Sequence, residues 1–462
     1  MLPQFREREI MSEYKWMKID TPSIMFSCLS TKKWGRTFRL AVVLRENIVD
    51  AKILEKAVSD LRDRFPHYFS KLKKGFFWNY LEQTDGLPEI RPENGCQGEP
   101  VVLRKDDRPD FRVVHTENKI ALEVAHYITD GNGALTFLLA LIQRYLELSQ
   151  DLPSELRKGI LYWKESPTEK EISDDFLRYG DFDGEKEKAE IHDVHRLPAV
   201  YEKNYLRLTY LAMSAQQLQA AARALQLTMT EFMTAVYMLA VIQTAEKPIQ
   251  NSIGVDIAVN LRAFFESETL RNFVYQVSVL LPVNGRQDWT IEEIAEVIRG
   301  QIRSHLTQSE LQSILKGFAG LAKNPVVRLV PNFIKTPVLR ILQARSHSDE
   351  TTIITNLGKV DITQDIAQYI EHIEFVNGDT SGYGLPSTYS SVSFNDHFVF
   401  CISSCNHDNR IVLAMEQLLQ EAGIVLTDRY TTQTHWNACD VQKEKDASKH
   451  FSFEKCKAYF HF

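Results

Sequence analysis

One segment has both the residue types and the spacing for acid–base chemistry: His126-Tyr127-Ile128-Thr129-Asp130-Gly131-Asn132-Gly133. An imidazole with an ordinary pKa of ~6.5 exchanges protons near neutral pH, which suits a general base. A histidine alone is more often a turn or core residue than a catalyst. Here a strand is expected to deliver His126 at its end. A turn then carries Asp130 and two glycines, and a helix begins directly. Glycine fits such a tight strand-to-helix turn because it has no Cβ to restrict it.

The elements that must position this segment can be read around it. Phe38–Leu44 is rich in β-formers and reads as a strand. Asp50 caps an amphipathic helix with Ile53, Leu54, Ala57, Val58 and Leu61 on one stripe, stopped before Pro66. Phe111–His115 and Lys119–Ala125 form a strand pair, and a helix runs from Gly133 to about Leu148. Between about Asp151 and Ala199 the chain turns charge-dense and carries Pro153, Pro167 and Pro198, as an interdomain connection would. The second half restarts with a strand at Tyr205–Leu211. Helices follow from Ser214 and from Thr228, each opened by a capping-box pattern (Ser214 with Gln217, Thr228 with Glu231). Strands are expected at Ile253–Val259, Gln276–Val283, Thr351–Thr355 and Tyr369–Val376, with a helix from Thr290 and helical stretches through Ala344. A hairpin, Tyr389–Phe394 with His397–Ser403, turns at Asn395-Asp396, and a helix covers Ile411–Ala422. Residues 436–462 mix charge and aromatics without a readable pattern. The division is therefore residues 1–195 and 196–462.

Composition bounds the class. In 462 residues, 44 % are hydrophobic and 25 % charged, the balance of a globular protein. Lys plus Arg number 54 against 61 for Asp plus Glu, a net charge of −7. That is no global basic footprint for nucleic acid or an anionic membrane. The longest apolar runs, Ala134–Ile142 and Ala235–Ile242, are far short of the ~20 residues of a membrane span. The charged start, Met1 to Ile10, has no apolar stretch of a secretory signal. Six unevenly spaced cysteines make no disulfide framework, so a reducing, cytoplasmic setting is expected.

The motif His126-x-x-x-Asp130-Gly131 resembles the signature of the CoA-dependent acyltransferase superfamily. That group takes in chloramphenicol acetyltransferase, the BAHD plant enzymes, condensation domains of peptide synthetases, and the alcohol acetyltransferase and polyketide-associated branch. The last branch is the most similar. Val259-Asn260-Leu261-Arg262-Ala263-Phe264-Phe265 with Leu270-Arg271-Asn272-Phe273 resembles its Asn-Leu-Arg stretch, Thr355-Asn356-Leu357-Gly358 its Asn-Leu-Gly, and Tyr14–Asp20 its start. The likeness runs from about Tyr14 to Thr427. A second histidine usual in condensation domains is replaced by Ala125, and the BAHD Asp-Phe-Gly-Trp-Gly motif is absent.

The resemblance implies an α/β fold of two chloramphenicol-acetyltransferase-like sandwich domains with a channel between them. It implies His126 as general base, with Asp130 and Gly131 as the rest of the motif. Asp130 would pair with an arginine, for which Arg262 is the matching candidate. Ser391, Ser393 and Asn356 are candidates for the hydrogen-bond donor to the oxyanion; Tyr389, Ser391 and Ser393 share one strand face. The substrates implied are acyl-CoA as donor, with no bound cofactor or metal, and a small alcohol or amine as acceptor. A carrier-protein thioester is the alternative donor, and a non-catalytic partner protein on the same fold is the rival from another class.

Other clusters read as structural. Cys401-Ile402-Ser403-Ser404-Cys405-Asn406-His407 and the tail residues His435, Cys439, His450 and Cys456 match no zinc spacing. Gly180-Asp181-Phe182-Asp183-Gly184 is taken as a charged surface turn, and His115 as structural. Phe76-Phe77-Trp78, with Tyr80 beyond, reads either as a packed strand or as the lining of an apolar channel. There is no phosphate loop, dinucleotide fingerprint or catalytic carboxylate pair.

Overall fold

The computed structural model describes residues 15–30, 36–46, 48–95, 97–101, 106–180, 193–197, 205–346, 350–378 and 385–435. In the first half, β1 (Trp16–Lys18), β3 (Ser70–Lys73) and β4 (Tyr80–Gln83) make a small sheet ordered β1-β4-β3, whereas β2 (Thr37–Leu44), β5 (Glu89–Pro92), β6 (Phe111–His115) and β7 (Lys119–Ala125) belong to a larger one. In the second half, β8 (Tyr205–Ser214), β9 (Ser252–Asn260), β10 (Val274–Pro282), β11 (Thr352–Val360), β13 (Ser387–Phe394), β14 (His397–Ser404) and β15 (Leu426–His435) join in a seven-stranded sheet ordered β10-β9-β11-β13-β14-β8-β15. β12 (Ile370–Val376) leaves that half. It pairs antiparallel with β2, Ile373 opposite Val42 and Phe375 opposite Leu40, so the first sheet reads β12-β2-β7-β6-β5.

This crossing ties the two halves. β12 is mostly buried, with Ile370, Ile373 and Phe375 in the first half's core. Its Glu374 carboxylate accepts from Lys119 Nζ at 2.8 Å and from the Tyr430 hydroxyl of β15. Alternate residues of β13 serve both cores: Val392 and Phe394 pack in the first, Tyr389 in the second. The helix Gly131–Ser149 lies in the first core and Met229–Thr244 in the second. Both are apolar around much of their circumference because protein surrounds them. No single helix among the described residues is long and apolar enough to cross a membrane.

Local chemistry explains the element ends. Asp50 accepts from the Lys52 and Ile53 amides, and Thr228 and Thr290 form complete capping boxes with Glu231 and Glu293. Asn395 turns the β13–β14 hairpin with φ of 52°, a conformation asparagine tolerates better than most residues.

Two features depart from the pattern read along the chain. Phe76-Phe77-Trp78 is no strand: it forms a bend between β3 and β4 with Phe76 and Phe77 exposed. β15 carries little apolar alternation because it is an edge strand, paired only to β8 and with half its residues in solvent. Asp181–Gly184 and the tail from Trp436 lie outside the described residues.

Candidate active site

β7 ends at Ala125, and the His126 amide donates to Arg36 O at 2.7 Å, the last tie to β2's neighbourhood. The chain then turns, with Ile128 N donating to Ala125 O at 2.9 Å. Ser23 Oγ donates to Tyr127 O at 3.0 Å, and Thr129 Oγ1 to Leu270 O at 2.6 Å. These bonds hold the turn between the first half's helix Thr21–Leu29 and the second half's segment 261–273.

Asp130 is the N-cap of the helix Gly131–Ser149 and is buried. Its Oδ1 accepts from Gly133 N at 2.9 Å. Its Oδ2 accepts from Arg262 Nη1 at 2.8 Å and from Phe273 N at 2.8 Å. Arg262 meets the carboxylate through one nitrogen, not as a two-pronged fork. Its other N–H groups reach Thr269 O at 2.8 Å and Arg271 O at 2.6 Å, so it also braces its own loop. A Cβ on Gly133 would collide with Leu270 O and Thr129 Oγ1, and one on Gly131 would stand 2.6 Å from Leu357 Cδ2. Both glycines are there because other chain segments press against the turn.

The imidazole of His126 lies between Phe26 and Phe38, with ring centroids 4.2 and 5.0 Å away. Its Nδ1 stands 3.0 Å from Asn272 Oδ1. The orientation of that amide follows from its other end: Asn272 Nδ2 has His126 O at 2.9 Å, Ser23 Oγ at 3.0 Å and Asp20 Oδ2 at 3.3 Å, all able to accept. Oδ1 therefore faces the ring, Nδ1 carries the proton, and Nε2 keeps its lone pair. Asp20 in turn caps the helix Thr21–Leu29 through Ser23 N at 2.8 Å and pairs with Arg271 at 3.3 Å. Burial pushes the His126 pKa below its ordinary value; Arg36 adds to this, while its own carbonyl, Asp130 and Asn272 oppose it. The imidazole is thus neutral at pH 7, the state a general base needs.

The three oxyanion candidates lie on adjacent strands. Asn356 of β11 and Ser391 of β13 are register partners, and Ser393 lies opposite Lys359 after a bulge. Gly358, with φ of 79°, supplies the left-handed residue of that irregularity, and its amide donates to Asn356 Oδ1 at 2.8 Å. Asn356 Nδ2 is engaged by Thr230 Oγ1 at 2.9 Å. Ser391 Oγ has only a long 3.5 Å contact to Thr355 O, and Ser393 Oγ has no partner among the described residues. Leu357, between Asn356 and Gly358, packs on Gly131, so this strand end abuts the His126 turn.

Asn272, Asp20 and Ser23 form the hydrogen-bonded surround of His126 and carry no sequence signal of that role; Asn272 stood out only as part of a longer likeness. Among the described residues no group of His, Cys, Asp and Glu is arranged to hold a metal ion, and Cys401 and Cys405 are buried.

This architecture is the two-domain α/β fold of CoA-dependent acyltransferases and peptide-synthetase condensation domains. Among solved structures, polyketide synthase associated protein 5 from Mycobacterium tuberculosis is similar at a TM-score of 0.55 and 16 % identity, over 87 % of this chain and 97 % of that one. The trichothecene 15-O-acetyltransferase TRI3 from Fusarium sporotrichioides matches at 0.55 and 12 %, over 88 % and 94 %. TRI101 from F. sporotrichioides, complexed with coenzyme A and T-2, matches at 0.56 and 10 %, over 90 % and 99 %. No family model and no curated protein matches the sequence.

Proposed function

We propose that this protein moves an acyl group from acyl-CoA to an alcohol or amine, with His126 as general base at the junction of residues 1–195 and 196–462. The observation that carries the reading is the bond between His126 Nδ1 and Asn272 Oδ1, which leaves Nε2 unprotonated. Nε2 takes the proton of the acceptor as its oxygen or nitrogen attacks the thioester carbonyl. The carbonyl electrons move onto oxygen, and on their return the C–S bond breaks. The same proton passes from the imidazolium to the departing thiolate. Asn272 stabilises the transient imidazolium by accepting from Nδ1. Ser391, Ser393 and Asn356 are the hydroxyl and amide donors considered for the oxyanion. The coenzyme A bound in the similar TRI101 structure supports CoA as donor; the equally similar peptide-synthetase structures keep a carrier-protein thioester as the alternative.

Thiol release from acyl-CoA in the presence of simple alcohols tests this. His126→Ala should lower turnover by ~10²–10⁴-fold, the usual worth of a general base. Undiminished turnover in that variant would refute the role. Ser391→Ala and Ser393→Ala follow in the same assay, and the true oxyanion donor loses ~10²–10³-fold in kcat.

A further inference from the structure

The helix Asn332–Ser346 meets the protein through polar contacts and turns an apolar stripe to solvent over residues 333–341. Asn332 Nδ2 donates to Gly75 O at 2.8 Å and Asn79 Oδ1 at 3.1 Å, and buried Lys335 donates to Phe77 O at 2.8 Å. Arg340 donates to Cys28 O at 3.2 Å. Its apolar residues face out: Phe333, Ile334, Val338 and Ile341, with Leu329 just before them and Phe76 beside them, are 48–70 % exposed. Positions 333, 334, 337, 338 and 341 recur at helical spacing, so this is one stripe. Phe76 and Phe333, with ring centroids 6.3 Å apart, join the stripe and the β3–β4 bend into one surface. Folding alone does not account for such a surface, because burying this face instead of the polar one would be favoured by ~25 cal/mol per Å².

The charge around the patch says what covers it. Among residues 308–341 the exposed charged side chains are Lys323, Arg328 and Arg340, all basic, and the one acidic residue, Glu310, is half-buried, although the whole chain has a net charge of −7. An outward apolar stripe in a locally cationic segment fits a lipid–water interface bearing anionic headgroups. The placement also has a use. The inner side of this helix packs on the helix Thr21–Leu29, whose Phe26 ring stands 4.2 Å from that of His126. The patch is thus linked to the candidate base through one intervening helix, Thr21–Leu29.

We propose that the surface formed by Phe76, Phe77, Phe333, Ile334, Val338 and Ile341 docks the protein onto anionic membranes, with the site on the membrane-facing half of the molecule, where a lipophilic acceptor or acyl chain resides. The docking itself needs no turnover.

Sedimentation of the full chain with phosphatidylcholine vesicles, with and without phosphatidylglycerol, tests it. Wild type and His126→Ala should sediment equally with the phosphatidylglycerol vesicles, and less so in high salt. The doubly substituted Phe333→Glu/Val338→Glu protein should partition at least ~10-fold less. Arg328→Glu, which leaves the apolar stripe intact, should weaken binding to the anionic vesicles alone. Absence of wild-type sedimentation, or equal sedimentation by all variants, would overturn the proposal. So would a wild-type dimer in light scattering that Phe333→Glu/Val338→Glu converts to monomer, since the stripe would then be an interface between copies. Inactivity of wild type towards acyl-CoA with intact vesicle binding would sink the acyl-transfer reading and leave this one standing.

Discussion

Asp130 is the residue whose removal is most informative, because its two oxygens hold three donors from two halves of the chain. Asp130→Ala strips the cap from the helix Gly131–Ser149, about 1 kcal/mol. It leaves the buried Phe273 amide without an acceptor, about 1–3 kcal/mol more. Arg262 loses one of its contacts but keeps Thr269 O, Arg271 O and Asn260 Oδ1, and it is 15 % exposed, so its own loss is smaller. Together these come to about 2–5 kcal/mol, overlapping the ~3–5 kcal/mol observed when a buried pair loses one partner. Arg262→Met attacks the same contact from the other side and leaves a carboxylate in a dry site with two amide donors. The two losses are therefore not independent, and the double variant should be more stable than their sum by about 1–3 kcal/mol. Denaturant unfolding of wild type, both singles and the double measures this. The kinetic consequence runs through the backbone: Asp130 fixes Phe273 N, and the preceding Asn272 fixes the His126 ring. Asp130→Asn, which keeps an acceptor for one amide but turns an NH₂ group on Arg262 or Phe273 N, should lower kcat for thiol release by more than ~10-fold. A coupling within about 0.5 kcal/mol of zero would refute the ion pair as a structural unit. Full kcat in a destabilised Asp130→Asn would refute its role in presenting His126.

The pH dependence should expose the environment of His126. A general base works only when neutral, so kcat/KM should rise with pH through the folded His126 pKa, which burial lowers below its ordinary value, and then level off. Arg36→Gln removes a cation that lowers this pKa and should shift the acid limb upward; Asn272→Ala removes a bond that raises it and should shift the limb downward. Shifts in the same direction would contradict this account. The two motif glycines should differ. At Gly133 an alanine Cβ meets backbone and should cost several-fold more stability than at Gly131, where it meets the movable end of Leu357; comparison of the two melting temperatures checks the order.

Much of the framework was legible along the chain because local rules govern it. The strand–turn–helix around His126, the Asp50 and Thr228 caps and the Asn395 turn all follow from short-range spacing and side-chain chemistry. Phe76–Trp78 misled because aromatic content alone does not separate a strand from an exposed bend. β15 was silent because an edge strand needs no apolar alternation.

The sequence by itself determined the placement of His126, Asp130 and Gly131 in one tight turn at a helix start, since those contacts span only a few residues. Tertiary structure alone decided which nitrogen of His126 is free. That depends on Asn272, some 146 residues away, and on Asp20 and Ser23, about 250 residues from Asn272, meeting around one amide. It also decided that β12 adds to the edge of the other half's sheet and that Phe333, Ile334, Val338 and Ile341 face outward. An amphipathic pattern states that a helix has two faces; only the surrounding packing determines which one meets the protein.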